Sequence, residues 1–261
     1  MTYSTLGVEV EDDGLARLTL RRPDDANAID LDMARDLSDA ARHLADSDGV
    51  RSVLFSGEGS MFCGGGDVKS FASEADLGPA LREITTHLHT AVSRLVRLDA
   101  PVVAAVQGSA AGAGLGLAMA ADLVVAAESA KFVMAYTGIG LSPDGSSTYF
   151  LPRLVGPRRA LELTLTNRVL SAGEAREWGL VTTVVPDDEL AAAAEDFARR
   201  LAAGPTRSYG ASKRLLRDAW NESLESQMER ESEELTAAAG RPDGVEGVAA
   251  FVEKRRPDFT G

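Results

Sequence analysis

Apolar residues recur along the chain with two periods, one typical of strands and the other of helices. Residues 5–10 and 14–20 alternate or run apolar around the turn Glu11–Gly14, which predicts a β-hairpin. Apolar residues at helical spacing predict a helix from Leu31 to about Ala45, with Asp30 as its N-cap. Further strands are predicted at 52–56, 102–106, 123–126 and 180–185, and further helices at 78–98, 114–121, 147–154, 157–165, 171–178, 189–203 (capped by Asp187–Asp188) and through most of the chain after Pro205.

This order of strands and helices predicts the class of fold. Strands separated by helices favour an α/β fold with mainly parallel pairing, because a helix between two strands returns the chain to the same end of the sheet. We expect residues 1–200 to form this core and residues 201–261 to form a helical C-terminal region. No repeat at a fixed period and no low-complexity linker interrupts the sequence.

The segment Val102–Ala121 contains no charged residue, so a membrane-spanning helix has to be weighed. The segment is long enough to cross a bilayer. However, Gln107, Ser109 and several glycines lie inside it, and no basic residues flank it. It therefore predicts a buried strand, a glycine-alanine turn at 108–114 and a helix.

Composition and charge exclude several classes of partner. The 261 residues include 40 acidic and 27 basic side chains, which gives a net charge of −13 and predicts no nucleic-acid or membrane-surface partner. Cys63 is the only cysteine, so neither an internal disulfide nor a cysteine metal cluster can form. The polar N-terminus has no hydrophobic signal core, and we expect a cytoplasmic protein.

Most motifs that carry catalytic chemistry are absent from the sequence. There is no P-loop and no nucleophile elbow, and the glycines at 112, 114 and 116 have the wrong spacing for a dinucleotide site. The histidines are His43, His87 and His89. Because His87 and His89 lie two apart on a predicted helix, they do not share a face, and we expect surface or partly buried histidines and no metal site.

Two glycine-rich turns, each after a predicted buried strand, are the first candidates for chemistry. They comprise Cys63–Gly66 and Ala110–Gly114. Backbone amides from two such turns can point at one carbonyl oxygen and form an oxyanion hole, although tight packing of strand against helix would use the same residues. A third turn, Ser142–Gly145, displays the carboxylate of Asp144, either as a catalytic group or as part of an ordinary turn.

Several short motifs along the chain are shared with one known family. They lie at 22–28 (RPDDANA), 62–67 (FCGGGD), 101–108 (PVVAAVQG), 111–114 (AGAG), 121–122 (AD), 130–132 (AKF), 140–143 (GLSP), 151–156 (LPRLVG) and 175–181 (AREWGLV). Jointly these motifs are specific, and the chain resembles the crotonase, or enoyl-CoA hydratase/isomerase, superfamily along essentially its whole length.

The resemblance implies a fold, an assembly and a substrate. The implied fold is α/β, a crotonase-type spiral of ββα turns with a C-terminal helical trimerisation region, assembled as a homotrimer or a dimer of trimers. The implied substrate is a coenzyme A thioester bound by the core, and no separate cofactor is expected because coenzyme A is part of the substrate. The oxyanion amides fall on Gly66 and Ala113, which match the family's motif.

The resemblance also implies further contacts with the substrate. These contacts fall on Ala26, Ala28, Gly64, Asp67, Val68 and Tyr136 and, from the tail helix and often toward a neighbouring subunit, on Phe251 and Lys254. A solvated helix end with basic residues is the other interpretation of Lys254. Cys63 is interpreted as a small packing residue and not as a nucleophile.

Departures from the family pattern decide which reaction is expected. Hydratases of this family use two glutamates, and the matching positions hold Gly116 and Tyr136. Asp144 is then the evident acid–base group. Its position matches the aspartate of two subgroups: isomerases that resemble the ring-opening isomerase of phenylacetate degradation, and 4-chlorobenzoyl-CoA dehalogenase, where the aspartate is a nucleophile.

We expect an isomerase that moves a double bond of an enoyl-CoA from Δ3 to Δ2. The reaction would pass through an enolate that the oxyanion hole stabilises, with Asp144 as the base. The alternatives are a hydrolase or dehalogenase-like enzyme with Asp144 as nucleophile, an atypical enoyl-CoA hydratase, and a non-catalytic acyl-CoA-binding protein.

Overall fold

The chain alternates strands and helices in a computed structural model that describes residues 3–72 and 75–260. Within these residues the strands are β1 (Leu6–Val10), β2 (Leu15–Leu20), β3 (Ser52–Gly57), β4 (Val102–Val106), β5 (Ser109–Ala111), β6 (Leu123–Ala127), β7 (Lys131–Val133), β8 (Leu170–Ser171) and β9 (Thr183–Val185). The helices are α1 (Leu31–Asp46), α2 (Val68–Ala72), α3 (Leu77–Arg97), α4 (Ala113–Ala120), α5 (Ser147–Val155), α6 (Pro157–Thr166), α7 (Ala172–Glu177), α8 (Leu190–Ala202), α9 (Thr206–Asp218), α10 (Leu224–Ala239) and α11 (Pro242–Glu253).

Six of these strands form the main sheet, in the order β1-β2-β3-β4-β6-β9. β1 and β2 are the predicted hairpin and pair antiparallel, whereas every other neighbouring pair in this sheet is parallel. All five residues of β4 and the first four of β3 are buried, as their apolar runs predict for strands covered on both faces. The expectation of an α/β fold with mainly parallel pairing is confirmed.

A second sheet of three short strands, in the order β5-β7-β8, differs from the sequence prediction. Strand β5 lies inside the segment 108–114, which the sequence predicts as a turn. With two or three residues each, these strands are too short to show an alternating pattern. Their pairing places Ala110 opposite Phe132, and Phe132 opposite Leu170.

Side-chain caps decide where some of the helices begin. The Asp30 carboxylate accepts a hydrogen bond from the Met33 N–H at 2.8 Å, so α1 begins as predicted. The predicted cap at 187–188 is wrong, because Asp187 accepts a hydrogen bond from the Ser129 N–H at 3.0 Å. Helix α8 begins at Leu190 without a side-chain cap.

Helix α8 packs on the main sheet through small residues. Ala194, Ala198 and Ala202 are buried, and the Ser52 hydroxyl at the start of β3 donates a hydrogen bond to the Ala198 carbonyl at 2.8 Å. Small side chains let the helix backbone come close enough to the strand for this bond. The predicted division between core and C-terminal region, at residues 200 and 201, falls within the last turn of α8 and stays a prediction.

Helices α9, α10 and α11 make up the C-terminal region. Large apolar side chains on them are exposed, among them Leu216, Leu235 and Phe251, as is Trp220 between α9 and α10. Among the described residues, no helix combines the length and the apolar character that a membrane crossing needs.

Asp122 fastens helix α9 to the core. Its Oδ2 accepts hydrogen bonds from the Val102 N–H at 2.8 Å and from Lys213 Nζ at 2.7 Å, and its Oδ1 lies 2.7 Å from Arg217 Nη2. The Lys213 side chain is only 11% exposed, and burial lowers the pKa of its ammonium group despite the contact with Asp122. The carboxylate therefore compensates a nearly buried charge and joins the start of β4 to α9.

We expect Asp122→Ala to destabilise the protein by about 3 kcal/mol, because the change leaves a nearly buried ammonium group and a strand N–H without their partner. The measurement is urea unfolding. Asp218→Ala is the matched control, since Asp218 and Arg230 form an exposed pair on the same helical region, and its loss should cost about 1 kcal/mol or less. Equal unfolding midpoints for the two variants would contradict this role for Asp122.

Candidate active site

Two backbone hydrogen bonds join the glycine-rich turns that the sequence singles out. The Cys63 N–H donates to the Ser109 carbonyl at 3.1 Å, and the Ala111 N–H donates to the Cys63 carbonyl at 3.0 Å. These bonds form a parallel bridge between Cys63 and Ala110. The turn after β3 and the turn after β5 therefore lie side by side at one edge of the fold.

Gly65 lets the two turns approach each other closely. Its φ is +97°, and a Cβ atom there would lie 2.7 Å from the Ala111 carbonyl oxygen and 3.5 Å from the Ala113 nitrogen. A side chain at Gly65 would be strained by the backbone conformation and would also push the turns apart.

The N–H groups of Gly66 and Ala113 are left without partners by this arrangement. The Ile29 N–H donates to the Gly65 carbonyl, and the Ile29 carbonyl accepts from the Asp67 N–H. Ile29 therefore makes no hydrogen bond to the Gly66 N–H that lies between them. Ala113 is the first residue of α4, where helix N–H groups have no partner within the helix. Neither N–H donates to an acceptor in residues 3–72 or 75–260.

Gly66 and Ala113 both line one mainly apolar cavity of about 270 Å³. Asp144 also lines it and is the sole carboxylate among the described lining residues. The lining comprises Ile29, Gly64, Gly65, Gly66, Val68, Phe71, Leu81, Ile84, Thr85, Leu88, Gly112, Ala113, Ala135, Tyr136, Ile139, Leu141, Ser142 and Asp144. The structure thus brings both predicted oxyanion donors and the predicted acid–base group to one cavity.

Asp144 stands at the start of a turn that leads into α5. The Ser147 N–H donates to the Asp144 carbonyl at 3.0 Å, so the turn spans 144–147 and lies two residues later than predicted. The Asp144 side chain is 27% exposed. Its Oδ1 accepts a hydrogen bond from the Tyr136 hydroxyl at 2.7 Å, and its Oδ2 lies 3.4 Å from His89 Nε2.

Tyr136 is a fixed donor to this carboxylate. Burial, followed by the nearby charge of Asp144, raises the pKa of the Tyr136 hydroxyl, so the group stays protonated. The resemblance implied that Tyr136 contacts the substrate, and the residue does line the cavity. The structure adds that its hydroxyl orients Asp144.

His89 is the site neighbour that sequence reasoning missed. It lies on α3 with its side chain 52% exposed, and its Nε2 accepts a hydrogen bond from the Gly145 N–H at 3.2 Å while facing Asp144. The signal that could have found it is helical spacing, because Thr85 lines the cavity one turn earlier on the same helix. That signal becomes informative only when the facing loop is known.

The predicted substrate contacts near the first turn differ in how they face the cavity. Gly64 and Val68 line it. Ala26 does not, but its carbonyl accepts a hydrogen bond from the Gly64 N–H at 2.8 Å and so holds the loop 26–28 beside the turn. The Ala28 carbonyl, also away from the lining, accepts from Arg22 Nη1 at 2.5 Å.

The Asp67 carboxylate is engaged within the protein. It accepts hydrogen bonds from Arg22 Nη2 at 3.0 Å and from the Ser70 N–H at 3.0 Å, which opens α2. Burial opposes ionisation, but these two donors together hold the pKa of Asp67 below its usual value. Any contact of Asp67 with a substrate would therefore use its main chain.

The structure does not bring Phe251 and Lys254 to the cavity. Phe251 lies on α11 and is 85% exposed, and Lys254 follows the end of that helix with φ of +56°. Their contact with a substrate stays a prediction. Cys63, in contrast, lies in the core as a packing residue would, because its thiol is buried, donates to the Asn27 carbonyl at 3.1 Å and has its pKa raised to about 12 by burial.

Comparison with known proteins places the chain among acyl-CoA enzymes. A sequence profile described as enoyl-CoA hydratase/isomerase matches residues 10–261. The 1,2-epoxyphenylacetyl-CoA isomerase of Escherichia coli (strain K12) is 40% identical over 253 residues, which are 95% of this chain and 95% of that protein. The 4-chlorobenzoyl coenzyme A dehalogenase-2 of an Arthrobacter species is 37% identical over 249 residues, 93% of this chain and 88% of that protein.

Solved structures agree with the sequence comparison. The crystal structure of an enoyl-CoA hydratase from Polaromonas sp. JS666 matches with a TM-score of 0.92 at 32% identity, covering 97% of this chain and 99% of that chain. The predicted crotonase-type fold is therefore confirmed, together with the resemblance that led to it. The protein belongs to the enoyl-CoA hydratase/isomerase, or crotonase, family and is an enzyme of that family.

Proposed function

We propose that the protein is an acyl-CoA-dependent isomerase that shifts a double bond of its enoyl-CoA substrate from Δ3 to Δ2. One observation carries this proposal: Asp144 is the sole carboxylate among the described residues of a cavity that is also lined by Gly66 and Ala113, whose N–H groups are unpaired. A single base opposite an oxyanion hole suits a reaction in which one proton is moved along the substrate.

The oxyanion hole acts on the thioester carbonyl. The N–H groups of Gly66 and Ala113 donate to the carbonyl oxygen, and they bond more strongly as that oxygen gains negative charge in the enolate. Each such donor contributes about 3 kcal/mol to stabilising the transition state. The start of α4 adds the positive end of the helix dipole to the same field.

Asp144 moves the proton. Its carboxylate takes a proton from C2, the electrons of that C–H bond form the enolate, and the conjugated dienolate is then protonated at C4, which leaves the double bond at Δ2. Because the Tyr136 hydroxyl already donates a hydrogen bond to Oδ1, Oδ2 is the oxygen that accepts the substrate proton. The apolar walls formed by Phe71, Ile84 and Leu141 disfavour the entry of water, which would otherwise compete for the intermediate.

Close packing at Gly116 argues against hydration by two carboxylates. A Cβ atom at Gly116 would lie 2.6 Å from the Gly145 carbonyl oxygen and 3.0 Å from Ser147 Oγ. The turn that carries Asp144 thus occupies the space that a glutamate side chain at position 116 would need. Since Tyr136 is not a carboxylate either, this site has one acid–base group where family hydratases have two.

The proposal includes the substrate's carrier and the assembly. The name of the E. coli relative, a CoA isomerase, supports both the isomerase chemistry and the acyl-CoA substrate. We propose that coenzyme A lies along Ala26, Ala28 and the main chain of Asp67, with no further cofactor.

The exposed apolar residues of α9–α11, together with Phe251 and Lys254, support a homotrimer or dimer of trimers in which these helices meet another subunit. We further propose a cytoplasmic location.

The position of His89 favours a second candidate function, in which Asp144 is a nucleophile. Its carboxylate would attack an electrophilic acyl or aryl carbon, release the leaving group and form an ester. An imidazole 3.4 Å from Oδ2 is placed to deprotonate the water that hydrolyses that ester. The Arthrobacter relative is a dehalogenase by name, which supports this alternative.

We expect Asp144→Asn to lower the rate of 3-enoyl-CoA isomerisation by at least about 100-fold, because an amide does not accept the C2 proton. Binding of the thioester should change little, since both oxyanion donors are main-chain groups. The measurements are conversion of a 3-enoyl-CoA to its 2-enoyl isomer and calorimetric titration of the product. Asp188→Asn is the control, because it makes the same change of charge at an exposed residue. Full turnover by Asp144→Asn would contradict the proposal.

The second candidate predicts a covalent intermediate on Asp144. Acid quenching of the enzyme during turnover of a 4-halobenzoyl-CoA should then give a protein with the mass of the added aroyl-CoA ester, and His89→Gln should accumulate it. The isomerase proposal expects no mass increase in either protein. Peptide mapping to Asp144 would decide for the nucleophile.

We expect Gly116→Ala to destabilise the protein by about 1–3 kcal/mol and to reduce isomerisation, because the new methyl group forces the turn at 144–147 away from α4. Gly173→Ala is the matched control, since nothing lies within 4 Å of a Cβ at this exposed position in α7. That control should be neutral or more stable by up to about 1 kcal/mol. Thermal unfolding and turnover of both variants test the contrast, and equal behaviour would show that the packing at Gly116 is unimportant.

A further inference from the structure

His89 connects the carboxylate of the active site to a second cavity. This cavity, of about 840 Å³, lies between α3, α5 and α9 and is lined by His89, Val92, Ser93, Val96, Arg97, Ser146, Tyr149, Phe150, Arg214, Arg217, Asp218 and Asn221. Among the described residues, the two cavities share no lining residue. His89 therefore touches Asp144 through Nε2 and lines a space that the proposed reaction does not use.

The charged groups around this second cavity are engaged with other partners. Arg214 pairs with Asp99, Arg217 with Asp122 and Asp218 with Arg230, while Arg97 donates to the Ser93 carbonyl. Among the described residues, Asp144 is the carboxylate within 4 Å of the His89 imidazole nitrogens. Asp144 is therefore the group with which His89 can exchange a proton inside the protein.

The hydrogen bonds of His89 fix the direction in which it can act. The Gly145 N–H donates to Nε2, so Nε2 carries no proton in the resting site. An ionised Oδ2 of Asp144 offers Nε2 no hydrogen. Once Asp144 has taken a proton from the substrate, Oδ2–H can donate to Nε2 across the same 3.4 Å gap.

We propose that His89 relays protons between Asp144 and solvent during turnover, so that the proton delivered to C4 of the product comes in part from water. This inference rests on the proposed isomerase function. In the relay step the hydrogen bond from the Gly145 N–H to Nε2 breaks and frees the Nε2 lone pair. The Oδ2–H bond of Asp144 then breaks and an Nε2–H bond forms, which gives a carboxylate and an imidazolium. The imidazolium N–H groups exchange with water, and the reverse transfer returns a solvent-derived proton to Asp144.

The exposure of His89 gives its imidazolium N–H groups access to water. Its side chain is 52% exposed, compared with 27% for Asp144. The other neighbour of Asp144, the Tyr136 hydroxyl, is buried and stays protonated, so it offers no second route to solvent. Without His89, a proton on Asp144 would return mainly to the enolate from which it came.

Isomerisation of a 3-enoyl-CoA in D₂O, stopped at low conversion, tests the relay. The wild-type product should carry deuterium at C4, and the product of His89→Gln should carry at least threefold less per turnover, with the rate of isomerisation within tenfold of wild type. The amide oxygen of the introduced glutamine can still accept from the Gly145 N–H, so the turn is preserved. His87→Gln, two residues away on the same helix, is the control and should match wild type.

A chemical rescue separates proton relay from a structural effect. In His89→Ala, free imidazole added to the buffer should restore deuterium at C4, because it can occupy the space of the missing ring. Equal deuterium content in wild type and His89→Gln would overturn the relay, as would isomerisation by wild type without any uptake of deuterium.

Failure of the relay and failure of the isomerase proposal give different results. Exchange of C2 protons with D₂O needs the base and the oxyanion hole but no double-bond shift. If wild type exchanges C2 protons without isomerising, and His89→Gln exchanges them more slowly, the relay stands and the isomerase proposal is wrong. If wild type neither isomerises nor exchanges, both are overturned.

Discussion

The bridge between Cys63 and the strand at 109–111 is the constraint on which the rest of the site depends. A backbone N–H is a useful oxyanion donor only if the fold satisfies its neighbours and leaves it unpaired beside a cavity. The bridge sets the two turns side by side. The bonds of Ile29 to the groups on either side of Gly66 then leave the Gly66 N–H unpaired, and Ala113 is unpaired as the first residue of α4. Gly65 permits the approach, and the helix that begins at Ala113 orients the second donor.

The turn at 144–147 limits the chemistry available beside the proposed oxyanion hole. It packs on α4 at Gly116, which places one carboxylate over the cavity and excludes a side chain beneath it. A glutamate at position 116 and the turn that carries Asp144 would therefore compete for the same space. On the proposed function, this packing concentrates the acid–base chemistry on a single residue.

The long elements of the fold could be predicted from the sequence, because their periodicity is strong. The hairpin, α1 and α3 end within two residues of their predicted bounds. The strands β5, β7 and β8 could not be predicted, since two or three residues show no period, and Asp187 bonds to Ser129 across the chain where a local helix cap was expected. The motifs identified Gly66, Ala113 and Asp144 as candidates, which the structure gathers at one cavity. His89 was missed because its relation to Asp144 exists only between α3 and a loop much later in the chain.

The two oxygens of Asp144 face different neighbours, and this difference explains how one carboxylate could serve either candidate reaction. Oδ1 is held by a buried donor that stays protonated, and Oδ2 faces an exposed imidazole that can take up a proton. In the proposed isomerase reaction Oδ2 takes the C2 proton of the substrate, and in the second candidate reaction it attacks an electrophilic carbon that carries a leaving group. On either proposal, the acyl group and the cavity walls at Val68, Phe71 and Leu81 decide whether Asp144 acts as base or nucleophile. The carboxylate and its two partners are the same in both cases.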